Sequence, residues 1–366
     1  VEARVLWTNG SMDWVGRFET DRVIDRTLEA GFNVLMPSVW HGRGVTWDSD
    51  LAPRDWNWKR KQERDPFRYL LDKAHAAGLE VHPSISVAAR YRNFFPEYHI
   101  AEGIPPNTVA KAFDLHDAGF RTFIVTLVED LVSRYPVDGV NLDFIRTRGV
   151  CTTPECARDY AEHSAGRNVA EDARRYYRDK RNTDADGAAA LAAWNGEAVD
   201  DIVRRVREVV QRHRPNTIIT TASHAGNADL RVQGADSVRW LNEGWIDYLL
   251  HMDYRSPTEI KVADFEWGKR AVPDPSRLIF LVGNFRKSSV VKGRNLPIEA
   301  EKVVAKIDFV RTLIAPRSGV ALWQDIYMTP EQIALLKSTV FSEQAGTPWR
   351  ADGENCGPSD RGARRG

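Results

Sequence analysis

Two short segments of the chain carry acids at positions where a carboxyl group can take part in a reaction. In the first, VDGVNLDFIRTRG, the alternation of side chains along an extended backbone places Asp143 on one face with Asn141 and Ile145. Arg146 falls on the opposite face. An acid at the end of an otherwise apolar strand needs a functional role or an ion pair to be tolerated. We therefore predict that Asp143 is a catalytic carboxylate, with an ion pair to a neighbouring arginine as the structural alternative.

The second segment, DYLLHMDYRSP, places His251, Asp253 and Arg255 on one face by the same alternation. Two carboxylates that face each other are the arrangement that hydrolysis of a glycosidic bond requires, one as nucleophile or base and one as proton donor. Arg255 or Arg146 would lower the pKa of one acid while the other stays protonated in a drier setting. The alternative role for Asp253 is to bind a substrate hydroxyl.

Further polar and aromatic side chains stand along the predicted strands or just after them. Many polar groups at one end of a sheet are typical of a sugar site, and flat tryptophan rings suit sugar faces. A single histidine inside a strand, such as His82, is more often a hydrogen-bonded core residue. The residues that we predict to bind substrate are Trp40, His41, Arg43, His82, Asn141, Arg146, His224, His251, Arg255, Asn284, Trp323 and Gln324.

The sequence also excludes several kinds of chemistry. It has no glycine-rich phosphate loop, no G-x-S-x-G nucleophile elbow and no H-E-x-x-H metal motif, which argues against phosphotransfer, serine hydrolysis and zincin chemistry. No cofactor is predicted. Lys+Arg and Asp+Glu both total 51, so the overall charge favours neither nucleic acid nor an anionic membrane as partner, and it predicts a ligand without strong charge.

These residues must be positioned by a repeated pattern of strands and helices. Short β-branched runs alternate with amphipathic stretches, which predicts a parallel sheet. The predicted strands are Ala3 to Thr8, Asn33 to Val39, Glu80 to Val87, Gly139 to Arg146, Thr217 to Ser223, Asp247 to Tyr254, Arg277 to Asn284, and Gly319 to Asp325. Eight such units predict an α/β chain with a single (β/α)8 barrel over residues 1–341. Three long connections, 40–65, 88–116 and 147–193, follow strands and should wall a cleft at the C-terminal face.

The remaining features concern the ends of the chain and its compartment. Residues 342–366 lack periodicity and are predicted to be a disordered or peripheral tail. No apolar run approaches the roughly 18 residues of a membrane span, and the start at Val1 without Met suggests a processed N-terminus, its signal peptide removed. Four residues separate Cys151 from Cys156. A small disulfide in an extracytoplasmic, periplasmic or secreted protein is favoured over two free thiols, and zinc is disfavoured without matching histidines.

Several of these motifs together resemble the bacterial glycosyl-hydrolase-like family ten. They are FNVLMPSVWHGRGVTWDSDLAP, DPFRYLLDKAHAAGLEVHPSISV, YPVDGVNLDFIR and IDYLLHMDY, in family order. The resemblance extends from Arg4 to Phe341 and is strongest in the first four units. It implies a barrel related to the α-galactosidase superfamily, with Asp143 as nucleophile and Asp253 as acid/base. It also implies an extracytoplasmic protein that acts on exopolysaccharide or cell-envelope glycans.

Chitinase-type barrels share the D-G-x-x-x-D strand but place a catalytic Glu two residues beyond its last Asp. Here that position is Ile145, so this chemistry is excluded. The leading hypothesis is an endo-acting, retaining glycoside hydrolase. The alternatives are a hexosaminidase for amino-sugar polymers, in which Asp143 supports the acetamido group, and a glycan-binding barrel without catalysis.

Overall fold

The computed structural model describes residues 1–8, 10–59, 64–91, 93–178 and 185–350, and its centre is a ring of eight parallel strands. The first strand pairs with the second and with the eighth, and each other strand pairs with its two neighbours in sequence. This closed ring confirms the predicted (β/α)8 barrel. The strands are Ala3–Trp7, Val34–Met36 with Ser38–Trp40, Glu80–Val81 with Ser84–Ser86, Gly139–Asp143, Ile218–Ser223, Tyr248–Met252, Leu278–Gly283 and Gly319–Trp323.

Prolines interrupt the second and third strands. Pro37 divides the second strand, and His82 and Pro83 divide the third, because proline has no N–H to donate to a ladder. Backbone hydrogen bonds cross the breaks, from the His82 N–H to the Leu35 carbonyl at 2.9 Å and from the Ser84 N–H to the Pro37 carbonyl at 2.8 Å. The ring therefore stays closed at both interruptions.

Eight helices surround the barrel, and shorter elements fill the connections. The barrel helices are Arg17–Glu29, Pro66–Ala76, Ala118–Arg134, Ala185–His213, Ser237–Asn242, Val262–Ala271, Ala300–Arg311 and Pro330–Ser338. The connections add helices Trp56–Lys59, Pro106–Val109, Pro154–His163, Val169–Arg178 and Ala228–Val232, and 3₁₀ turns Ser11–Asp13, Pro96–Tyr98, Pro275–Arg277 and Asp325–Tyr327. Two antiparallel ribbons join Gly103–Ile104 to Val150–Cys151 and Phe285–Lys287 to Asn295–Pro297. In the described part of the chain, no helix is long and apolar enough to cross a membrane.

Local signals explain where helices begin. Asp65 accepts a hydrogen bond from the Arg68 N–H at 3.0 Å and Pro66 follows it, so the second helix starts where the sequence predicts. Pro297 is a residue type favoured at the start of a helix, but the seventh helix begins at Ala300. Pro297 is held in the ribbon opposite Phe285.

Apolar side chains fill both the lumen of the barrel and the layer between sheet and helices. The lumen holds Ala3, Val5, Trp7, Val34, Met36, Ala222, Leu250, Met252, Ile279, Leu281 and Ala321. Trp40, Trp47 and Trp58 are fully buried in the outer layer. These three tryptophans therefore pack the protein and offer no face to a sugar, and for Trp40 the prediction of substrate binding is wrong.

The segment 342–350 packs against the barrel, so the prediction of a peripheral tail is wrong for these residues. Trp349 closes the lower end of the lumen, with ring centres 5.3 Å from His82 and 5.0 Å from Tyr248. Its indole N–H donates to Glu80 Oε2 at 2.7 Å. Residues 351–366 lie outside the described part of the chain.

Candidate active site

Asp143 is the last residue of the fourth strand, and its side chain points into the mouth of the barrel. Asn141, two residues earlier, donates to Ser84 Oγ at 3.0 Å and accepts from Thr220 Oγ1 at 2.9 Å, which fixes the inward face of this strand. Asp143 accepts a hydrogen bond from the Phe144 N–H at 2.8 Å, and Ser86 Oγ lies 3.4 Å from Oδ2. These contacts confirm the predicted orientation of Asn141 and Asp143. They also give Asn141 a structural role inside the sheet.

The electrostatic setting of Asp143 opposes its ionisation. Burial raises the pKa of its carboxyl, and the positive charges of Arg146 and Arg148 with the two hydrogen bonds reduce this effect without cancelling it. Asp143 makes no ion pair with a described residue, so the structural alternative of an arginine partner does not hold here.

The backbone turns sharply after Asp143. Phe144 has φ 48°, a left-handed conformation that interrupts the alternation of the strand. Ile145 consequently packs in the outer core with Leu142, and the charge of Arg146 acts on Asp143. The predicted faces of Ile145 and Arg146 are therefore exchanged.

In the sixth strand too, the side chains that face the lumen are not those that the sequence predicts. Leu250 and Met252 lie in the lumen with Tyr254 packed against them. His251 points outwards, where its ring centre lies 5.1 Å from those of Phe265 and Phe280. Burial lowers the pKa of His251 to about 3. His251 is thus a neutral core residue, and the prediction that it binds substrate is wrong.

Asp253 follows His251 on the outward side, and its carboxylate is fully engaged there. Oδ1 accepts the Arg255 N–H at 3.2 Å and Arg255 Nε at 2.7 Å, while Oδ2 accepts Arg255 Nη2 and the Lys261 N–H, the latter at 3.0 Å. Burial alone would raise the pKa of Asp253, but these bonds lower it. An ionised, paired carboxylate is not suited to donate a proton, so the geometry contradicts the predicted acid role of Asp253. The guanidinium of Arg255 is used in the same ion pair.

Four aromatic side chains form a wall at the mouth, and one of them, Tyr254, lies close enough to Asp143 to feel its charge. The wall consists of Tyr254, Phe285, Trp323 and Tyr327, all partly exposed. Tyr254 lies 4.9 Å from Trp323 and 5.8 Å from Phe285 between ring centres, and Phe285 lies 5.6 Å from Tyr327. Burial and the charge of Asp143 raise the pKa of Tyr254. A protonated phenol and flat rings next to a carboxyl are features of a sugar subsite.

Of this wall, only Trp323 was predicted. Tyr254 lies two residues beyond Met252, on the side that faces the lumen in the structure, but the sequence does not show which side of this strand faces inwards. Phe285 and Tyr327 lie outside the barrel strands, in the ribbon and in a 3₁₀ turn, where periodicity gives no guide. Arg148, which also acts on Asp143, was missed for the same reason.

The remaining predicted residues divide between the mouth and other parts of the fold. His224 is partly exposed at the mouth, where burial and the charge of Arg146 lower its pKa. His41 is partly exposed after the second strand, and Arg43 forms an ion pair with Asp55, Nε to Oδ2 2.6 Å.

Three predicted residues are structural. His82 lies at the lower end of the lumen, so it is at the wrong end of the barrel to bind substrate. Asn284 is buried and joins the seventh strand to its surroundings, donating to Gln332 at 3.1 Å and accepting from the Gln324 N–H at 2.8 Å. Gln324 is itself buried.

The predicted disulfide is present. Cys151 and Cys156 are joined at 2.06 Å, beside Asp114. Within the described ranges, Asp114 and these two cysteines form the one group with the spacing of metal ligands, and the disulfide uses both sulfur atoms.

Comparison with known proteins finds a family model and a curated relative that are similar to part of the chain. A model described as glycosyl hydrolase-like 10 matches residues 114–290. The glycosyl hydrolase DigH of Escherichia coli K12 is 23% identical over 306 residues, which cover 70% of this chain and 63% of DigH. The chain thus spans less than two thirds of the length of this curated relative.

Solved structures share the fold. The glycoside hydrolase domain of PgaB (BpsB) from Bordetella bronchiseptica has a TM-score of 0.66 at 14% identity, covering 92% of this chain and 98% of that domain. The β-galactosidase of Rahnella sp. R3 has a TM-score of 0.64 at 12% identity, covering 93% of this chain and 56% of that enzyme. Over residues 114–290, slightly less than half of its length, this chain is thus similar to the glycosyl hydrolase-like 10 proteins.

Proposed function

We propose that the chain is a glycoside hydrolase for a bacterial polysaccharide, with Asp143 at its reaction centre. The observation that carries this proposal is the Asp143 carboxyl at the C-terminal end of the fourth strand, which forms no ion pair with a described residue and lies near Tyr254 of the aromatic wall. Burial of this acid is only partly offset by the charges of Arg146 and Arg148, so it lowers stability, which points to a functional reason for its presence. The names of DigH and the PgaB domain support the same reaction class.

We assign Asp143 the role of proton donor. Because its pKa is raised, it keeps its proton to a higher pH than an ordinary aspartic acid, as a general acid must. It would protonate the glycosidic oxygen while the bond to the anomeric carbon breaks, and water would form the new bond to that carbon and release a proton to solvent. This assignment replaces the nucleophile role implied by the family resemblance, and Asp253 does not supply the acid.

Hexosaminidase action is a second candidate. It is favoured because the Asp253 carboxylate is bonded to Arg255 and to the Lys261 N–H. An enzyme that uses the acetamido group of its substrate needs no protein nucleophile. The acetamido oxygen would attack the anomeric carbon as Asp143 protonates the leaving oxygen, and water would then open the cyclic intermediate. A polymer of N-acetylglucosamine and its deacetylated form separate the candidates, because only the acetylated form supports this route.

The Asp143→Asn variant tests the proposed function. General acid catalysis contributes about 10² to 10⁴ in rate, so we expect release of reducing ends from polysaccharide to fall by that factor. A glycoside with an activated phenolate leaving group needs little protonation, so its hydrolysis should fall far less. An equal loss on both substrates would assign Asp143 as nucleophile instead.

The matched control is Asp25→Asn, the same change at an exposed acid of the first helix, which should leave turnover intact. Unchanged turnover in Asp143→Asn would overturn the proposal. Equal polymer binding by wild type and variant, with neither releasing reducing ends, would support the non-catalytic glycan-binding barrel.

We also propose an extracytoplasmic location, as the sequence suggests. The Cys151–Cys156 disulfide supports it, because such bonds persist in oxidising compartments and are rare in reducing ones. Alkylation of the protein in intact cells, before and after reduction, would test the oxidation state. Free thiols in untreated cells would contradict this location.

A further inference from the structure

Two arginines, Arg146 and Arg148, carry positive charges that act on Asp143. Arg146 and Arg148 each approach the Phe144 ring, with guanidinium carbons 4.8 Å and 5.0 Å from its centre. Within the described part of the chain, neither forms an ion pair, and the hydrogen bond of Arg148 to the Lys111 carbonyl is long at 3.5 Å. Two positive charges therefore face one carboxyl, and that carboxyl resists ionisation.

The ribbon after the seventh strand adds positive charge on the same face. Residues 284–298 contain four cations and no acid, and all four are exposed: Arg286, Lys287, Lys292 and Arg294. The base of the ribbon is fixed to the aromatic wall, because the ring centre of Phe285 lies 5.4 Å from that of Trp323. The ribbon thus extends from the site itself.

We propose that the glycan bound here carries carboxylates, one of which is held by Arg146 and Arg148 next to the scissile bond. The cations of the ribbon hold acidic sugars further along the polymer. Planar guanidinium groups suit carboxylates because two parallel N–H groups can meet two oxygens. This inference rests on the proposed function for the identity of the ligand as a glycan, and it corrects the expectation of an uncharged ligand.

A zero net charge gives no information about such a site. The 51 cations and 51 acids balance over the whole chain, yet the field in a cleft depends on the charges that line it. Uronates and lactyl ethers of amino sugars are two kinds of sugar that carry such a carboxylate. Hyaluronan represents the first kind, and cell-wall glycan strands freed of peptide represent the second.

Binding to matched polymers tests the inference. All proteins carry Asp143→Asn, so that no polymer is cleaved during the measurement. We expect hyaluronan or the cell-wall strands to bind at least about tenfold more tightly than the same polymer after reduction of its carboxyls to alcohols. The polymer with the larger difference identifies the source of the carboxylate.

Variants then locate the contact. Arg146→Gln and, separately, Arg148→Gln should each weaken binding of the carboxylated polymer about tenfold and leave the reduced polymer unaffected. Because Arg148→Gln is made separately, its result does not depend on whether Arg146→Gln folds correctly. The double change Arg286→Gln/Lys287→Gln should weaken binding of long chains more than of tetrasaccharides. Lys337→Gln, the same loss of charge on the last turn of the eighth helix, should change nothing.

Equal binding of native and reduced polymers would overturn the inference, and so would failure to bind either carboxylated polymer. The proposed function would survive this result if Asp143→Asn still abolished hydrolysis of a neutral glycan. Conversely, selective binding of carboxylated polymer without any hydrolysis by the wild type would support the inference and overturn the proposed function.

Discussion

Replacing Glu80 with glutamine tests how firmly the segment 342–350 closes the lower end of the barrel. Glu80 is buried, and its carboxylate accepts hydrogen bonds from three residues of this segment. Thr347 Oγ1 donates at 2.7 Å, Trp349 Nε1 donates at 2.7 Å, and Arg350 Nε forms the third bond. Glutamine keeps the shape of the side chain but removes the charge and presents an N–H₂ group to these donors.

The size of the effect follows from the pKa of Glu80. Burial by itself raises this pKa, but the hydrogen bond and charge of His82 and the charge of Arg350 outweigh it and lower the pKa to about 2. Relative to an ordinary value of 4.5, at about 1.36 kcal/mol per pKa unit, the difference is worth at most roughly 3 kcal/mol. Since the folded-state pKa is lowered, this stabilisation is complete above about pH 4.5 and is lost as the pH falls towards about 2.

Urea unfolding of wild type and Glu80→Gln measures the difference. We expect the free energy of unfolding of Glu80→Gln to be lower than that of the wild type by up to roughly 3 kcal/mol near neutral pH, and the gap to narrow as the pH is lowered in steps to about 3. Glu343→Gln is the matched control, since Glu343 is an exposed acid of the same segment. A gap below roughly 0.5 kcal/mol at neutral pH, or one that does not change with pH, would refute the reasoning.

Three further predictions concern the mouth and the disulfide. Asp253→Asn should lower the free energy of unfolding by about 1 to 2 kcal/mol, since it breaks a half-exposed pair with Arg255, but should lower kcat less than about tenfold; a loss of 10² or more would restore its acid role. The kcat/KM of the wild type should fall as the pH rises through the raised pKa of Asp143. A kcat/KM that does not fall as the pH rises would contradict the role of Asp143 as proton donor. The Cys151→Ser/Cys156→Ser double variant should unfold about 2 kcal/mol more easily, as expected for a short closed loop, and an unchanged urea midpoint would contradict this.

The fold and the position of Asp143 are predictable because they depend on local periodicity. Apolar strand, turn and amphipathic helix recur along the chain, and a barrel buries eight such units in this order. Asp143 ends a strand whose inward face is already marked by Asn141. Asp65 and Pro66 mark a helix start in the same local way.

The predicted direction of the Asp253 side chain differs from the structure because the sequence does not show which alternate residues of the sixth strand face the lumen. Strands of a parallel barrel are buried on both faces, so both carry apolar residues and no polar face reveals the solvent side. Leu250 and Met252 fill the lumen while His251 is buried outside it. His251 and Asp253 on one face suggested a site. In the structure His251 contacts Phe265 of the sixth helix, and Asp253 accepts the N–H of Lys261, which precedes that helix.

The misplacement of His82 has a different cause. Assigning a residue to the top or bottom of a strand requires the ends of that strand, and the break at Pro83 obscures them. The partner of His82, Trp349, lies 267 residues away in a segment with no periodic pattern. Contacts of this range depend on the assembled barrel and leave no trace in the local sequence.

The position of the segment 342–350 also shows where a label can be attached to the chain. The Glu2 N–H donates to the Gly346 carbonyl at 2.9 Å, and Arg4 Nη1 donates to the Glu343 carbonyl at 2.6 Å. Both ends of the described chain therefore lie on the face opposite Asp143. A dye, an affinity tag or a bead attached at residue 1 therefore lies away from the mouth. Immobilised protein can thus be presented to intact, insoluble polymers, and soluble products can be collected without the enzyme.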